Sequence, residues 1–496
     1  MNVVDYLFKE SKTSSKELVL GNSEKISYKE IYEQISKLSN YLEESLGKNK
    51  KIIIMSDNSV FFIIAYFGIM KSGNICVPLD PSLSQSALTH IIKECNSFLC
   101  FVQNKSEKKF TDLKIKTINE EQVKNILNKE NSPSEKTIKD FDEKNIAEIL
   151  YTSGSTAFPK GVMLSHENII SNTNSIVQYL QLSSDDIIEI VLPFFYCYGL
   201  SLLHTHVRVG GSMVLNKTFI LLKTVVDDLI KYKCTGFAGV PSHFQIMLRM
   251  ARAFKEAEFP QLRYVIQAGG KLANTFIKEF VGLFPDVKFF VMYGQTEATA
   301  RLSYLPPELV LKKLGSIGKG IPDVKLEVLN KDNKPVKPGE VGEIVASGKN
   351  IMVGYFNDDQ LTKKTLRNNK LYTGDLATVD EEGFIYIVGR EKEIIKVAGE
   401  RVSPKEIEEI IVSIPEVIDC SIIGVEDKML GEAIKSYIVL NRNARSKISA
   451  DYIKSYCNER LSPQKVPKHI EFIDRIPVSS TGKKTQVNIQ ALNRGL

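Results

Sequence analysis

Two different spacings of hydrophobic residues alternate along the first hundred positions. Short apolar runs such as residues 51 to 55 predict buried strands, whereas the apolar positions of residues 31 to 46 recur at a helical spacing. The most apolar stretch, residues 59 to 70, is shorter than the roughly 18 residues that a membrane span needs, so it predicts a buried helix. Strands that alternate with helices are typical of a parallel sheet, and the same rhythm returns in residues 146 to 306.

The later part of the chain has two other patterns. Residues 315 to 390 hold short β-type runs between Gly, Pro, Asn and Asp, which predicts a β-rich subdomain. Residues 403 to 406 read Ser-Pro-Lys-Glu, a capped helix start, and strand-like and helical segments follow. We therefore expect an α/β protein. Its large N-terminal domain, residues 1–390, would contain two α/β subdomains and the β-rich subdomain, and residues 391–496 would form a small C-terminal α+β domain.

The composition narrows the class of protein. Hydrophobic residues make up 43% of the chain and charged residues 25%, which excludes disorder as the main state. With 65 Lys and Arg against 59 Asp and Glu, the net charge of +6 is small for 496 residues, and no basic stripe indicates nucleic acid as a partner. The 7 cysteines include no Cys-x-x-Cys pair, so they predict reduced core thiols in a cytoplasmic protein without a transmembrane segment.

A polar string, YTSGSTAFPKGVMLSH at residues 151 to 166, lies between two predicted strands. Small residues let a backbone approach an anion closely, and hydroxyl and ammonium groups add donors, so the string is suited to bind phosphate. It is neither a Walker loop nor a G-x-S-x-G elbow, and its composition alone would also fit an ordinary polar turn. The candidate phosphate ligands are Thr152, Ser153, Gly154, Ser155, Thr156 and Lys160.

The whole string resembles the signature loop of the adenylate-forming superfamily, which typically reads YTSGSTGxPKG. This superfamily comprises acyl-CoA synthetases, peptide-synthetase adenylation domains and beetle luciferases. Ala157 stands where the family usually has Gly. Further family segments occur in the expected order along the chain. KSG and VPLDP lie within residues 71 to 81, before the loop, and AGG at 268 to 270, YGQTE at 293 to 297 and YTGD at 372 to 375 lie after it. The resemblance implies ATP and Mg²⁺ as cofactors.

The resemblance also implies roles for residues around the nucleotide. Gly269 and Gly270 correspond to the turn beside the adenine, and Tyr293 to the residue against the adenine ring. Thr296 would contact the α-phosphate, and Glu297 would be the catalytic ligand of Mg²⁺. These residue types suit the tasks, because an aromatic ring stacks on a base and a carboxylate is a hard oxygen ligand.

Five further residues receive roles from the same resemblance. Asp375 would accept hydrogen bonds from the ribose hydroxyls, and Arg390 would reach the ribose or the phosphate. Lys392 occupies the family's hinge position, and Gly399 the loop beside the incoming thiol. Lys483, in a P-x-x-x-x-G-K segment, would be the adenylation lysine. The C-terminal domain would then be a mobile lid that rotates between adenylate formation and thioester formation.

The pocket for the acid is expected in residues 193 to 200, 239 to 244 and 267 to 270. Its candidate residues are Phe195, Tyr196, Gly239 and Phe244, although the phenylalanines could equally be core packing. Many CoA ligases have a His where this chain has Tyr196. No Asp occurs between positions 192 and 203 to pair with a substrate ammonium group, and a buried unpaired ammonium is costly. The sequence therefore favours an uncharged acyl or aryl acid, with an imino acid still possible.

The sequence leaves two candidates for the acceptor of the acyl group, and both carry the same pantetheine thiol. No phosphopantetheine attachment motif follows Lys483, so the acceptor must be a separate molecule. Coenzyme A is favoured, and a free-standing carrier protein is the alternative. A third hypothesis, an inactive nucleotide-binding or interaction protein, is disfavoured because Lys483, Glu297, Asp375 and Arg390 are all present.

Overall fold

The structure, a computed structural model, describes residues 1–21, 24–129, 141–152, 159–216, 219, 222–427, 429–441, 447–482, 484 and 489. Within these residues the strands form three sheets, of fourteen, seven and five strands. In chain order the strands are β1 (Glu17–Leu20), β2 (Ile26–Ser27), β3 (Lys51–Met55), β4 (Ile75–Leu79), β5 (Leu99–Val102), β6 (Lys116–Ile118), β7 (Ile146–Thr152), β8 (Lys160–Ser165), β9 (Ile187–Ile190), β10 (Ser212–Leu215), β11 (Gly236–Gly239), β12 (Tyr264–Gln267), β13 (Lys288–Tyr293), β14 (Ser303–Leu305), β15 (Ser316–Gly320), β16 (Lys325–Leu329), β17 (Gly342–Ser347), β18 (Gly354–Tyr355), β19 (Leu366–Arg367), β20 (Lys370–Val379), β21 (Ile385–Arg390), β22 (Ile395–Val397), β23 (Glu400–Val402), β24 (Val417–Asp427), β25 (Gly431–Leu440) and β26 (His469–Phe472).

The α-helices connect these strands and cover the sheets. In chain order they are α1 (Val3–Leu7), α2 (Tyr28–Leu46), α3 (Val60–Lys71), α4 (Gln85–Cys95), α5 (Glu120–Lys129), α6 (His166–Leu180), α7 (Cys197–Val209), α8 (Leu222–Lys231), α9 (Pro241–Met250), α10 (Arg252–Glu256), α11 (Asn274–Leu283), α12 (Asp359–Thr365), α13 (Pro404–Ile411) and α14 (Ala450–Asn458). Short 3-10 helices occupy Asn104–Phe110, Thr296–Ala298, Pro307–Leu309, Glu391–Glu393 and Pro463–Lys465.

The largest sheet joins two kinds of strand pairing. Its order is β16-β17-β20-β21-β15-β14-β13-β12-β11-β9-β10-β1-β2, with β19 beside β20. Each strand pairs parallel with the next in the run β13-β12-β11-β9-β10, as expected for strands joined by crossover helices. From β13 to β16 the pairing is antiparallel. The predicted β-rich subdomain thus continues the edge of the parallel sheet.

The two smaller sheets are separate along the chain. The seven-strand sheet has the order β18-β8-β7-β4-β3-β5-β6, and the five-strand sheet the order β23-β22-β25-β24 with β26 beside β25. Every strand of the five-strand sheet lies after residue 394. The predicted α/β fold with a large N-terminal and a small C-terminal domain is confirmed, and the boundary between residues 390 and 391 stays a prediction. Below, residues 1–390 are called the body and residues 391–496 the lid.

Helix α3 is the buried helix that the apolar stretch predicts, and it links the two larger sheets. Phe62 packs against Phe194, with 5.4 Å between ring centroids. The Tyr66 hydroxyl lies 2.8 Å from Glu148 Oε2 on β7 and 2.8 Å from His204 Nε2 on α7. Burial raises the pKa of Glu148 to about 7 and lowers that of His204 to about 3. A polar network therefore crosses the core between the sheets.

The start of α13 differs from the predicted capping box. Pro404 occupies the first helical position as expected, but the Ser403 side chain makes no cap hydrogen bond. The Ser403 hydroxyl donates to the Val388 carbonyl at 2.5 Å, and Glu406 accepts from Lys465 Nζ at 2.8 Å. The prediction of a capping box is wrong because both side chains bind tertiary partners. Ser403 ties the first helix of the lid to β21 of the body.

Two further sequence expectations concern membranes and thiols. Among the helices of the described residues, none combines the length and the apolar character required to cross a bilayer. All seven cysteines are buried, and none forms a disulfide. Burial raises the pKa of thiols such as Cys76 and Cys420, which makes them poor nucleophiles. The prediction of core thiols is confirmed.

Candidate active site

Four neighbouring strands of the largest sheet end at the same edge. Strands β9, β11, β12 and β13 are adjacent and parallel. The segments at their carboxyl ends are residues 193–200, 239–244, 267–270 and 293–297, those expected to contact the acid and the nucleotide. Ligands of open parallel sheets bind at this edge. The fold therefore brings four sequence-predicted segments to one place.

Three of the predicted nucleotide residues form a connected group, which we call the nucleotide corner. Tyr293, at the end of β13, donates its hydroxyl to Asp375 Oδ2 at 2.6 Å. Asp375 and Arg390 are register partners on β20 and β21, and Arg390 Nε donates to Asp375 Oδ1 at 2.8 Å. Asp375 is 5% exposed. A carboxylate has about four lone-pair sites, so two protein donors leave acceptor capacity for ligand hydroxyls.

Electrostatics keep the two donors of the nucleotide corner, Tyr293 and Arg390, protonated. Burial, and secondly the Asp375 carboxylate, raise the pKa of the Tyr293 hydroxyl, which therefore stays a donor. The same carboxylate raises the pKa of the Arg390 guanidinium. Both donors are thus fixed on Asp375 before any ligand arrives.

The predicted magnesium ligand, Glu297, is held by a residue that the sequence analysis did not identify. Its Oε1 accepts a hydrogen bond from the Tyr355 hydroxyl at 2.7 Å, and its carbonyl accepts from Met352 N at 2.9 Å. Tyr355 pairs with Val162 of β8, the strand after the predicted phosphate loop. No larger group of His, Cys, Asp and Glu suited to a metal occurs among the described residues. The carboxylate of Glu297 is a hard oxygen ligand of the kind that Mg²⁺ uses, commonly one or two together with substrate phosphates.

Thr296 joins the nucleotide segment to the acid segment. Its Oγ1 donates to Cys197 Sγ at 3.4 Å, and Cys197 is the first residue of α7. Gly294, two residues earlier, lies so close to the Ala300 carbonyl that an added Cβ would sit 1.8 Å from the Ala300 oxygen. Only glycine fits this turn, which sets the position of Thr296 relative to β13.

The predicted phosphate loop spans a hairpin. Strands β7 and β8 are antiparallel, and Thr152 is the register partner of Lys160. The Thr152 hydroxyl faces the Lys160 carbonyl at 3.5 Å. Ser153, Gly154, Ser155 and Thr156, with the family departure at Ala157, lie outside the described residues. Their roles as phosphate ligands stay predictions.

The expected turn beside the adenine follows β12. Gly269 has φ of +87°, a conformation that glycine adopts without strain. The Gln267 side chain closes the turn by donating Nε2 to the Gly270 carbonyl at 2.7 Å. This geometry leaves Gly269 and Gly270 at the strand end next to Tyr293.

The candidate pocket residues fall into two groups. Phe195 and Tyr196 are half-buried at the start of α7. Phe244, by contrast, is 0% exposed and packs against Phe280 and Phe289. This placement favours core packing, the alternative left open for Phe244. An added Cβ at Gly239 would lie 3.1 Å from the Phe244 ring, so Gly239 leaves room for that ring.

A glycine of the lid contacts the same pocket segment. Gly482 has φ of +76°, and an added Cβ would lie 2.9 Å from Val240 Cγ2 and 3.3 Å from His243 Nε2. The Ser242 hydroxyl donates to the Gly482 carbonyl at 2.9 Å. Lys483 follows Gly482 in the sequence and lies outside the described residues.

The other two lid residues singled out from the sequence lie near the body–lid boundary. Lys392 is within the 3-10 helix Glu391–Glu393, directly after Arg390. Gly399 has φ of +85° and, with Ala398 at φ of +48°, forms the tight turn between β22 and β23. Their roles as hinge and thiol loop stay predictions.

The structure also identifies site residues that the sequence did not. Tyr355 is 58 positions from Glu297, and no spacing rule connects them. The His243 ring is stacked on Phe219 at 4.0 Å, and its Nδ1 has no hydrogen-bond partner among the described residues. Burial lowers the pKa of His243 to about 3, so this ring is neutral. A histidine within the predicted pocket segment was the available signal.

Family models match both parts of the chain. Residues 9–356 match the AMP-binding enzyme family, and residues 406–483 match the AMP-binding enzyme C-terminal domain. The chain is 33% identical to the putative acyl-CoA synthetase YngI of Bacillus subtilis (strain 168), over 70% of this chain and 64% of that protein. It is 28% identical to a 2-succinylbenzoate–CoA ligase of Bacillus cereus (strain ZK / E33L), over 95% of this chain and 94% of that protein.

Solved structures agree with the sequence comparisons. The o-succinylbenzoate CoA synthetase (MenE) of Bacillus subtilis, in complex with its acyl-adenylate intermediate, superimposes with a TM-score of 0.86 at 25% identity over 98% of this chain and 97% of that one. The same enzyme with ATP and magnesium ion gives a TM-score of 0.84 at 26% identity over 97% and 98%. The curated relatives named above are a putative acyl-CoA synthetase and a CoA ligase. The predicted resemblance is confirmed: the chain belongs to the AMP-binding enzymes.

Proposed function

We propose that this enzyme activates a small, uncharged carboxylic acid with ATP and transfers the acyl group to the pantetheine thiol of coenzyme A. The observation that carries the proposal is the nucleotide corner, where Tyr293 and Arg390 hold the Asp375 carboxylate at the carboxyl edge of a parallel sheet. The relatives named above, a putative acyl-CoA synthetase and CoA ligases, support the same reaction class.

The first half-reaction must join two anions. A carboxylate oxygen attacks the α-phosphorus of ATP, the new oxygen–phosphorus bond forms, and pyrophosphate leaves with the electrons of the bond that breaks. Such a step needs positive charge and an in-line arrangement of attacking and leaving oxygens. Asp375 orients the nucleotide through the ribose, Arg390 supplies a fixed positive charge, and Thr296 is suited to donate to the α-phosphate.

Glu297 would hold Mg²⁺ through the carboxylate oxygen that Tyr355 does not bind. When bound, Mg²⁺ neutralises charge on the phosphate oxygens. Tyr355 keeps the Glu297 side chain in place and stays protonated, because burial raises the pKa of its hydroxyl. The donor set of a single oriented carboxylate fits this ion.

The second half-reaction produces the thioester. The pantetheine sulfur attacks the acyl carbon, AMP leaves with its bonding electron pair, and the thiol proton passes to solvent. Lys483 serves the first step and the Gly399 loop the second, so the lid must present different surfaces in turn. The contact of Gly482 with Val240, Ser242 and His243 supports the first arrangement as the one in this structure.

The acid is expected to lack an ammonium group. Between positions 192 and 203 no Asp is available as its partner, and burial of an unpaired charge is costly. The half-buried Phe195 and Tyr196 are suited to contact an acyl chain or aryl ring.

One experiment tests the proposal. The purified enzyme is incubated with ATP, Mg²⁺ and a panel of aryl, fatty, dicarboxylic and amino acids, with either coenzyme A or carrier protein, and thioesters are detected by mass. We expect acid-dependent exchange of labelled pyrophosphate into ATP, and a CoA thioester of an acyl or aryl acid. Thioester on the carrier protein alone would replace coenzyme A with the alternative acceptor. If no acid of the panel supported exchange of pyrophosphate into ATP, the proposed adenylation would be contradicted.

A further inference from the structure

We propose that Glu409 is a positioning residue that latches the lid against the body in the arrangement used for adenylate formation. Its Oε1 accepts a hydrogen bond from the backbone N–H of Asn274 at 2.6 Å, and its Oε2 lies 3.5 Å from Lys271 Nζ. Glu409 is on α13 of the lid, and both partners are in the body. The inference rests on the proposed function, because it concerns the first half-reaction.

The body needs an acceptor at this place. Asn274 is the first residue of α11, and Ala273 before it has no side chain that could cap the helix. The first N–H groups of a helix lack partners within the helix and favour negative charge. Glu409 supplies both an acceptor and a charge, and the lid therefore completes a helix of the body.

The latch is next to the nucleotide turn. Lys271 follows Gly269 and Gly270 directly, and three residues connect Gly270 to the start of α11. A lid docked on Asn274 and Lys271 is thereby docked on the segment predicted to contact the adenine. The second contact, from Ser242 to the Gly482 carbonyl at 2.9 Å, is beside the acid segment.

The interface around the latch is polar and loosely packed. A cavity of about 90 Å³ lies between the lid and the body, and its lining includes Gln245, Gly270, Lys405 and Glu409. Gln245 Oε1 has no hydrogen-bond partner among the described residues. A charged hydrogen bond beside this cavity stabilises the contact and can still break readily.

The other acidic residues of α13 bind inside the lid. Glu406 accepts from Lys465 Nζ at 2.8 Å. Glu408 accepts from Lys405 Nζ at 2.8 Å and from Ile422 N at 3.2 Å. Three carboxylates on one helix thus serve different purposes, and Glu406 offers a matched control for Glu409.

The test measures both half-reactions in full-length Glu409→Ala, Glu409→Gln and Glu406→Ala enzymes. We expect Glu409→Ala to lower acid-dependent pyrophosphate exchange roughly 10-fold, since a hydrogen bond to a charged group is lost and the competent arrangement becomes rarer. Thioester formation from supplied acyl-adenylate should stay within about 2-fold of the unmodified enzyme, because that step does not use the latch. Glu409→Gln should retain part of the first activity because an amide oxygen still accepts, and Glu406→Ala should leave both steps unchanged.

A second measurement needs no chemistry and separates the latch from the proposed function. Hydrogen exchange of peptides covering Asn274 should be faster in Glu409→Ala than in Glu406→Ala, by roughly 10-fold for the Asn274 amide. Equal loss of both half-reactions, or unchanged exchange at Asn274, would overturn the latch. If the wild-type enzyme showed no pyrophosphate exchange, but hydrogen exchange at Asn274 was still faster in Glu409→Ala, the proposed function would be overturned and the contact between Glu409 and Asn274 would be established.

Discussion

The nucleotide corner and the body–lid interface are both held by hydrogen bonds and ion pairs of a carboxylate, but they differ in burial and in the elements that they connect. In the corner, both oxygens of Asp375 are bound by side chains on strands of the same sheet, and Asp375 is 5% exposed. At the interface, the side chains of Glu409 and Lys271 are 21% and 27% exposed beside a cavity of about 90 Å³. The corner is fixed by sheet register before ligand arrives, whereas the proposed function requires the interface to open. The proposal thus assigns preorganisation and mobility to separate parts of one site.

The largest expected effect comes from the residue that only the lid can supply. Lys483→Ala should lower adenylate formation by ~10²- to 10³-fold, the usual effect of losing one preorganised charge-stabilising group. Thioester formation from supplied acyl-adenylate should be spared. Pyrophosphate exchange and single-turnover thioester assays measure the two steps separately. Equal loss of both would contradict a lid with two working arrangements.

The polar network of Tyr66, Glu148 and His204 in the core of the body is buried, in contrast to the partly exposed body–lid interface. The pKa of Glu148, raised from 4.5 to about 7, means that the folded protein holds a proton that the unfolded chain releases. This group's contribution to the free energy of unfolding therefore falls as pH rises from about 4.5 to about 7. Glu148→Gln has no charge to bury, so it should be more stable than the unmodified protein by roughly 3 kcal/mol above pH 7 and by little below pH 4.5.

Urea unfolding of both proteins at acid and at mildly alkaline pH measures this difference. The pKa of His204, lowered to about 3, makes stability fall as pH drops below about 6.5, but His204 is present in both proteins and cancels in the comparison. A difference that does not change with pH would show that the pKa of Glu148 is the same in the folded and the unfolded protein.

A change inside the nucleotide corner should leave the lid undisturbed. Asp375→Asn removes the anionic partner of Arg390, and we expect the KM for ATP in pyrophosphate exchange to rise about 10-fold. Hydrogen exchange at Asn274 should not change, because the latch is on another strand end. Asp380→Asn is a matched control: Asp380 binds Lys313 at 2.8 Å, outside the predicted nucleotide residues. An equal rise of the KM for ATP in both variants would show that Asp375 acts as a structural ion pair and not as a nucleotide ligand.

The smallest expected effect is at the second lid contact. Ser242→Ala removes one neutral hydrogen bond to the Gly482 carbonyl and should slow adenylate formation by about 2- to 5-fold. Ser413→Ala, which removes a hydroxyl bound to Ile410 and Tyr456 within the lid, should have less effect on that step. Pyrophosphate exchange rates for the two variants decide between them. If Ser413→Ala proved the slower enzyme, the Ser242 contact would have no part in holding the lid.

The sequence by itself determined the local elements and the order of the motifs. Residues 51 to 55 form β3 as predicted, and the apolar stretch 59 to 70 forms the buried helix α3. Hydrophobic periodicity reports which face of a segment is buried, and that information is local. The motif strings likewise identified Tyr293, Asp375 and Arg390 without any knowledge of their distances.

Only the tertiary structure decided which side chains meet. Tyr293 and Asp375 are 82 positions apart and touch because β13 and β20 belong to one sheet through the pairings of β14, β15 and β21. Ser403 binds Val388 in place of its own helix, and Glu409 binds the body while Glu406 binds the lid, although both glutamates are on the same short helix. A side chain's partner depends on strand register and domain docking, which follow from the packing of the whole chain and leave no trace in local spacing.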